Sequence, residues 1–497
     1  MSIPRASSPV KALSGVPVTA TDSVLPTPSS SQKCRKWVSF SSAIFNCLCA
    51  GSIVLFSLWA PVFQQDLGYN QMQVNAVSIA GELGMYLPVP IFGYICDNFG
   101  PHKLSLLAGA FFGVGYSLAS LSYSHDLPYQ VMVFAFTLVG MGTSSMYFAG
   151  ITTCAKNFTG SRGLALSLPI ASFGLSGLWL SQFVSRVFVG ENGTLMIGAA
   201  FTTFAVFLSG VGIVGGLFLQ VFPAEEEAVE GGERERLLPV DGGERGFGWV
   251  DSAEDDKRWI NAATRDFLKD RAMWWFAIGV FLVTGPGEAF INNMGSLIKS
   301  LYPPSTASVH IDPATHVSII ATTSTLARIL VGILSDYIGP SIHPPPVQLS
   351  SRFRPRCSRV ILLIAVSCLL LTAHLLLAFT SLPFLTSYFW IISALVGSGY
   401  GAVFTLAPTI VSVVWGTENF GTNWGVVMTT PAVGATAYGL LYAKLYDDHA
   451  GADGRCWGEE CYRGAFGVMA VGTVVAIVGW LWAWRGRGGW KERGVIV

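Results

Sequence analysis

Apolar residues dominate this chain in runs of about twenty or more, separated by short polar breaks. A helix of that length crosses a hydrocarbon core of about 30 Å and satisfies its own backbone hydrogen bonds there. The pattern predicts an all-α membrane protein with twelve transmembrane helices, in two groups of six. The predicted spans are 37–63, 74–96, 104–123, 128–151, 163–188, 195–221, 272–299, 315–338, 358–380, 384–414, 421–446 and 463–484.

The polar stretches between and around these spans define the predicted domain organisation. Residues 1–36, rich in Ser, Pro and Thr, are predicted to be a disordered N-terminal tail, because they have no apolar core. The first six-helix half is 37–221, the central loop is 222–271, and the second half is 272–484. A short polar tail, 485–497, follows the last span.

The composition narrows the functional classes. Only 12% of residues are charged, against about a quarter in soluble proteins, and 30 basic residues balance 30 acidic ones. No basic field therefore points to nucleic acid. No phosphate-binding loop, nucleophile elbow, catalytic carboxylate pair or metal-ligand spacing stands out, so we expect no enzyme activity, no metal site and no cofactor.

Lysines and arginines cluster in alternate loops and predict the orientation of the chain. Cytosolic loops of membrane proteins carry an excess of these residues. The segments with the excess include both termini, so both are predicted to be cytosolic. An even number of spans agrees, because it places both termini on the same side. The basic positions are Lys33, Arg35, Lys36, Lys103, Lys156, Arg162, Arg352, Arg354, Arg356, Arg359, Arg485, Arg487, Lys491 and Arg493.

A short pattern, G-x-x-x-D-x-x-G-P, occurs after span two and again after span eight, at equivalent places in the two halves. It resembles the signature of the major facilitator superfamily. That resemblance implies the major facilitator fold. Glycines allow helices to approach closely, and an Asp at a helix end can pair with a neighbouring span in one conformation only. We therefore interpret these positions as a conformational switch: Gly93, Asp97, Gly100, Gly332, Asp336 and Gly339.

Two further segments, 67–90 and 285–295, are similar to the fungal monocarboxylate transporter homologues of the vacuolar membrane. The likeness extends over nearly all of the membrane region. It implies a multi-pass protein of the vacuolar membrane with an unassigned substrate; the plasma membrane is the alternative location.

Three ionisable residues lie near the middle of predicted spans: Glu82, Glu288 and Arg328. Charges at that depth are costly and indicate function. Arg328 is the candidate ligand for a carboxylate, because its guanidinium offers a rigid fork of donors. The alternative is a permanent ion pair between helices. Glu82 and Glu288 are candidates for proton coupling, or else partners in salt bridges or helix caps.

Arg328 precedes Gly332 by four residues, as does the substrate-binding arginine of the monocarboxylate porters that the chain resembles more distantly. In those porters an acidic residue lies one turn before the arginine, where this chain has Ser324. Their lysine of the first span is also missing. These departures argue against lactate-type proton symport. Tyr86 and Asn292 are further candidates for binding the substrate.

Three loop features bear on targeting and modification. Glu233, Leu237 and Leu238 fit an acidic dileucine signal that a sorting adaptor complex would bind. Asn192 begins a glycosylation sequon on the predicted luminal side. Cys456 and Cys461 lie in a predicted luminal loop, where they either form a disulfide or remain free thiols.

These features together predict a secondary transporter in the lipid bilayer. It would move a small solute, preferably an organic anion, by alternating access between its halves, with protons as the candidate coupling ion. The alternatives are a carrier of a neutral solute and a transporter-like membrane sensor. Two switch patterns favour transport over the sensor, because alternating access needs both halves to move.

Overall fold

The structure, a computed structural model, describes residues 30–69, 71–188, 195–222, 262–301, 313–339, 357–451, 456–495 and 497. Twelve of its helical segments are long and apolar enough to cross a membrane. The predicted all-α fold with twelve spans is thereby confirmed. Each span ends within several residues of its predicted limits, and we number the spans 1 to 12.

The first half contains six spans, two of which are interrupted. Span 1 consists of Ser30–Ala50, a 3₁₀ turn at Gly51–Leu55 and Phe56–Asp66. Span 2 consists of Gln71–Tyr86 and Val89–Phe99. The continuous spans 3 to 6 are Pro101–Ser124, Tyr129–Asn157, Arg162–Val187 and Ile197–Phe218.

The second half repeats this organisation, with span 11 interrupted and span 10 kinked at Tyr388. Spans 7 to 10 are Arg271–Leu301, Pro313–Ile338, Arg359–Phe379 and Leu382–Val414. Span 11 consists of Phe420–Val427 and Thr429–Asp448, and span 12 is Arg463–Arg485. A short helix, Ala262–Lys269, precedes span 7.

Prolines explain two of the interruptions. Span 2 breaks at Leu87–Pro88, and span 11 breaks at Met428, three residues before Pro431. Proline has no N–H, so Pro431 leaves the carbonyl of Val427 without its helical donor. The hydroxyl of Thr430 donates to that carbonyl instead, at 2.8 Å. A side-chain donor of this kind satisfies the freed carbonyl, so the span can bend inside a membrane without leaving a backbone group unbonded.

The two halves meet through equivalent spans. Span 2 of the first half packs against span 11, and span 8 of the second half packs against span 5. Spans 2 and 8 carry the two repeated patterns at their ends, on one side of the molecule, which we call the motif side. The two contacts are therefore related by the internal repeat.

The N-terminal end of the described chain differs from its sequence-based boundary, and the tail after span 12 packs against the second half. Helix begins at Ser30 and not at 37, so the predicted disordered tail is wrong for 30–36; Arg35 there donates to Gln220 Oε1 at 2.7 Å. After span 12 the chain folds back and buries Trp490 against Trp415. Arg493 pairs with Asp270 at 2.9 Å.

Candidate solute cavity and gates

A cavity of about 460 Å³ lies between the two halves. Its volume is in the range of small-molecule sites, and major facilitator folds place the solute in this position. Its lining is mostly apolar and aromatic, with a few polar groups. The polar and charged lining residues are Ser78, Glu82, Tyr86, Thr143, Ser144, Tyr147, Glu288, Asn292, Arg328 and Tyr400. The cavity thus contains all five residues that the sequence singled out for solute binding and proton coupling.

Arg328 enters the cavity from span 8 and reaches across to the first half. Its Nη1 donates to the carbonyl of Ile170 in span 5 at 2.7 Å. Gly174, one turn further along span 5, leaves the space for this approach, since a Cβ there would collide with the guanidinium. Within the described residues Arg328 forms no ion pair with a carboxylate, and its Nε has no hydrogen-bond partner. The buried Nε of the guanidinium therefore has no protein partner in the described part of the chain.

Glu288 of span 7 accepts hydrogen bonds from both halves. The hydroxyl of Tyr86 in span 2 donates to its Oε1 at 3.3 Å, and the hydroxyl of Tyr400 in span 10 makes a short bond to the same oxygen. The bond from Tyr86 crosses between the halves. Any movement that separates the halves at this level must change the environment of Glu288.

Glu82 and Asn292 line the cavity in a different manner. Glu82 lies one turn before Tyr86 on span 2, is exposed, and has no hydrogen bond or ion pair among the described residues. Asn292 lines the cavity from span 7, whereas the amide of its neighbour Asn293 donates to the Ala289 carbonyl of its own helix. Glu82 is thus an unpaired carboxylate at the cavity wall.

The first repeated pattern closes the motif side against span 11. Asp97 Oδ1 accepts from the Gly421 N–H at 3.1 Å, and Oδ2 accepts from the N–H and hydroxyl of Thr422 at 2.6 and 2.8 Å. These N–H groups belong to the first turn of the helix Phe420–Val427, where they have no partner inside the helix. The positive end of the helix dipole adds to the attraction. Lys156 of span 4 also pairs with Asp97, at 2.8 Å.

The second pattern makes the equivalent contact with span 5. Asp336 accepts from the N–H groups of Gly163 and Leu164 at 2.7 and 2.8 Å, in the first turn of the helix Arg162–Val187. In both contacts the two carboxylate oxygens cap consecutive N–H groups of the opposite half. We call the contact of Asp97 with span 11 the first gate and that of Asp336 with span 5 the second gate.

The leading glycine of each pattern lies one turn before its aspartate and touches the same opposing helix. A Cβ on Gly93 would collide with the backbone of Gly421, and a Cβ on Gly332 would lie 2.7 Å from the Gly163 carbonyl oxygen. The gates are therefore pairs of close helix contacts, each sealed by a carboxylate. Gly100 has φ +89°, which suits glycine at the turn into span 3, and Gly339 approaches Arg359 closely.

The sequence pattern identified the aspartate of each gate but not the groups that donate to it. These donors are mainly backbone N–H groups, so their residue types give no signal; they belong to Gly163, Leu164, Gly421 and Thr422. The cross-half bond from Arg162 Nη1 to the Ser412 carbonyl at 3.0 Å was missed as well. The only available signal was a glycine at the second position of spans 5 and 11.

The remaining candidates are the glycosylation site, the sorting signal and the cysteine pair. The first two lie outside the described residues. Asn192 falls in 189–194, and Glu233, Leu237 and Leu238 fall in 223–261, so the structure does not describe them. Cys456 and Cys461 form a disulfide. The described residues hold no group of three or more His, Cys, Asp or Glu side chains with the arrangement of a metal site.

Comparisons with known proteins agree with this geometry. Residues 39–439 match the model of the family described as Major Facilitator Superfamily. The chain is 41% identical to a curated protein of Neurospora crassa named "Probable transporter mch1", over 93% of this chain and 90% of that one. A protein of the same name in Aspergillus fumigatus is also 41% identical, over 92% and 87%.

Solved structures show the same fold at low sequence identity. The transporter FucP in its outward conformation superposes with a TM-score of 0.59 at 12% identity, over 89% of this chain and 97% of that one. The proton:xylose symporter XylE, bound to 6-bromo-6-deoxy-D-glucose, also gives 0.59, at 11% identity over 92% and 98%.

Proposed function

Because the chain belongs to the major facilitator superfamily, and within it to the mch1-type transporters, it is a secondary transporter by fold, and we propose that it moves a small organic anion by alternating access. The halves would rock about the central cavity. In the conformation described, both gates on the motif side are closed. Opening them and closing the opposite side would expose the cavity in turn.

Arg328 is the reason for proposing that the solute is an anion. A guanidinium keeps its charge, and a buried one needs compensation. Here its hydrogen bond goes to a neutral carbonyl, and none of the described carboxylates forms an ion pair with it. The structural alternative, a permanent ion pair, thus has no direct contact with a described carboxylate in this conformation, although Glu288 lines the same cavity. A solute carboxylate at the free side of the fork would supply the missing charge.

A thermal-shift panel on the purified protein tests this proposal. A ligand raises the apparent stability by RT ln(1 + [L]/Kd). We expect at least one small carboxylate to stabilise the wild type and to lose its effect in Arg328→Gln. The matched control is Arg186→Gln, since Arg186 is exposed and lies outside the cavity. If only neutral solutes stabilise the protein, the proposal that it carries an organic anion is wrong.

Protons are the proposed coupling ion, with Glu288 as the carrier. Its bonds to Tyr86 and Tyr400 join three spans and both halves, so opening a gate would alter its proton affinity. In proteoliposomes, Glu288→Gln should abolish accumulation of the carboxylate driven by a pH gradient but retain exchange of labelled for unlabelled solute. Equal loss of both activities would indicate a structural role. Glu82→Gln, measured in parallel, tests the second candidate.

The vacuolar membrane is the proposed location, with both termini in the cytosol and Glu233, Leu237 and Leu238 as the sorting signal. We expect a fluorescent fusion at the vacuole, and a shift to the plasma membrane when Leu237 and Leu238 are changed to Ala. An unchanged location of that variant would exclude the signal.

Asn192 is the proposed glycosylation site and a test of topology. A glycosidase should increase the gel mobility of the wild type, and Asn192→Gln should remove that change. A second sequon, Asn157-Phe158-Thr159, lies on the predicted cytosolic side; Asn157 accepts from the Phe222 N–H on the motif side and should stay unmodified. Glycosylation that persists in Asn192→Gln and disappears in Asn157→Gln would invert the proposed orientation.

A further inference from the structure

Two opposite charges face the central cavity without pairing with each other. Arg328 extends from span 8 of the second half, and Glu82 extends from span 2 of the first half. Neither forms an ion pair with another described residue. Unpaired charges in a membrane protein are expensive, and they occur where a ligand or an ion supplies the partner.

From this arrangement we infer that the transported solute is a zwitterion, with a carboxylate for Arg328 and an ammonium group for Glu82. The inference rests on the proposed function, because it keeps the carboxylate at Arg328, and it adds a second recognition point. The solute would then contact both halves at once. A cavity of about 460 Å³ has room for a small zwitterion of the amino-acid kind.

The charge balance of the cavity favours a zwitterion over a simple anion. The ionisable groups at its wall are Glu82, Glu288 and Arg328. A monocarboxylate would satisfy Arg328 but would leave Glu82 unpaired when the cavity closes and loses water. With a proton on Glu288, the proposed proton carrier, a zwitterion adds no net charge and pairs both Arg328 and Glu82, so the occluded state has no uncompensated buried carboxylate.

Glu82 is better suited than Glu288 to bind the ammonium group of a solute. Glu288 already accepts two phenol hydrogen bonds and is partly buried, whereas Glu82 is exposed and has no hydrogen bond among the described residues. An unbonded carboxylate at an accessible wall is the better receptor for a solute cation. Aromatic rings at the wall would also accommodate an ammonium group through cation–π contacts. These rings are Phe56, Tyr86, Phe136, Tyr147, Phe148, Phe173, Tyr400 and Phe404.

The zwitterion would also couple binding to closure. Glu82 and Arg328 belong to different halves, so a solute that holds both charges favours the conformation in which the halves are close. A solute with one charge lacks this effect. A zwitterion would therefore favour closure more strongly than a matched anion does.

A series of four six-carbon compounds tests the inference on the full-length purified protein. Hexanoate carries only the carboxylate, hexylamine only the ammonium group, and 2-aminohexanoate and 6-aminohexanoate carry both at different spacings. We expect at least one zwitterion to bind about tenfold more tightly than hexanoate, or about 1.4 kcal/mol. The preferred isomer would report the spacing between the two receptor groups.

The variant Glu82→Gln should remove the preference by weakening the zwitterion and leaving hexanoate unchanged. Glu460→Gln is the matched control, because Glu460 is exposed and lies outside the cavity. The melting temperature of each variant without ligand checks that it folds, and Glu82→Asp, which keeps the charge, should retain part of the preference.

The outcomes separate the two proposals. If hexanoate binds as tightly as both zwitterions and Arg328→Gln abolishes its binding, the anion stands and the zwitterion is wrong. The zwitterion is also wrong if Glu82→Gln keeps the full preference. If hexylamine alone binds, both the zwitterion and the organic anion are overturned. If none of the four binds while another carboxylate of the thermal-shift panel does, the zwitterion is wrong and the anion stands.

Discussion

The two gates have the same design but unequal numbers of bonds. In each, an aspartate caps two N–H groups in the first turn of a span from the opposite half. Asp97 has a third bond across the interface, from the Thr422 hydroxyl, and an ion pair with Lys156. Asp336 has only the two N–H bonds across the interface. The first gate should therefore contribute more to holding the motif side closed.

The position of Lys156 shows how the extra charge acts. Lys156 and Asp97 both belong to the first half, so their ion pair can persist when the halves separate. A bond that persists in both conformations does not by itself favour either one. Its effect is to orient the carboxylate, so that the three bonds across the interface form together. Thr422 therefore adds a bond to the first gate, and Lys156 orients the carboxylate that accepts it.

One measurement can compare all the gate variants. Spin labels at Lys103→Cys and Glu418→Cys, on exposed positions of opposite halves at the motif side, report the distance between the halves. Labelling requires replacement of the more accessible cysteines, Cys34, Cys357 and Cys368, whereas the other free cysteines are buried. The populations of short and long distances give the ratio of closed to open molecules.

The largest effect is expected for Asp97→Asn. It replaces three charge-assisted bonds across the interface with at most one weak bond, and such bonds contribute about 1.5–3 kcal/mol each before solvation of the open state is considered. We expect the open-to-closed ratio to rise about 100-fold, or about 3 kcal/mol. Asp448→Asn, at an exposed position, is the matched control. An unchanged ratio would mean that the first gate does not hold the motif side closed.

A smaller effect is expected for Asp336→Asn. Only two bonds across the interface are lost, so we expect a rise of about 10- to 30-fold in the same distance measurement. If this variant opens the motif side as much as Asp97→Asn does, the two gates are equal, and the extra bond from Thr422 contributes nothing.

The glycine contacts give the next comparison. A Cβ on Gly93 would collide with the Gly421 carbonyl oxygen, a backbone atom of span 11, whereas the nearest atoms to a Cβ on Gly332 would be the Cβ and Oγ of Ser167 at 2.5 Å, and that Oγ can rotate away. Gly93→Ala should therefore open the motif side more than Gly332→Ala, by a strain of about 1–3 kcal/mol. Gly439→Ala, in a span but with open space around it, should have no effect. A larger effect of Gly332→Ala would reverse the order of the gates.

The sequence predicted those features that depend on residue type at short range. Twelve spans follow from apolar runs, because hydrocarbon excludes charge from about 20 successive residues. The repeated patterns located Asp97 and Asp336, since a glycine and an aspartate one turn apart form a recognisable unit. Arg328 was identified because charge is rare at that depth.

The partners of these residues could not be predicted, because they lie far away in sequence and act through the backbone. Asp97 and Thr422 are 325 residues apart, and Arg328 bonds the Ile170 carbonyl from 158 residues away. Every residue has a carbonyl and nearly every one an N–H, so no residue type marks the receptor. Only the packing of span 2 on span 11 and of span 8 on span 5 selects which groups are used.

The smallest predicted effect tests the single hydroxyl that distinguishes the gates. Thr422→Val removes the bond from the hydroxyl to Asp97 and keeps the N–H bond, so we expect the open-to-closed ratio to rise about fivefold, or about 1 kcal/mol. Leu164 occupies the equivalent position in the second gate, and Leu164→Thr would place a hydroxyl beside Asp336. That change should lower the ratio by a similar factor. If the two substitutions cancel when they are combined, the hydroxyl accounts for the difference in strength between the gates. If Thr422→Val alone has no effect, that difference must lie elsewhere; the remaining distinctions are Lys156 beside the first gate and the bond from Arg162 to the Ser412 carbonyl beside the second.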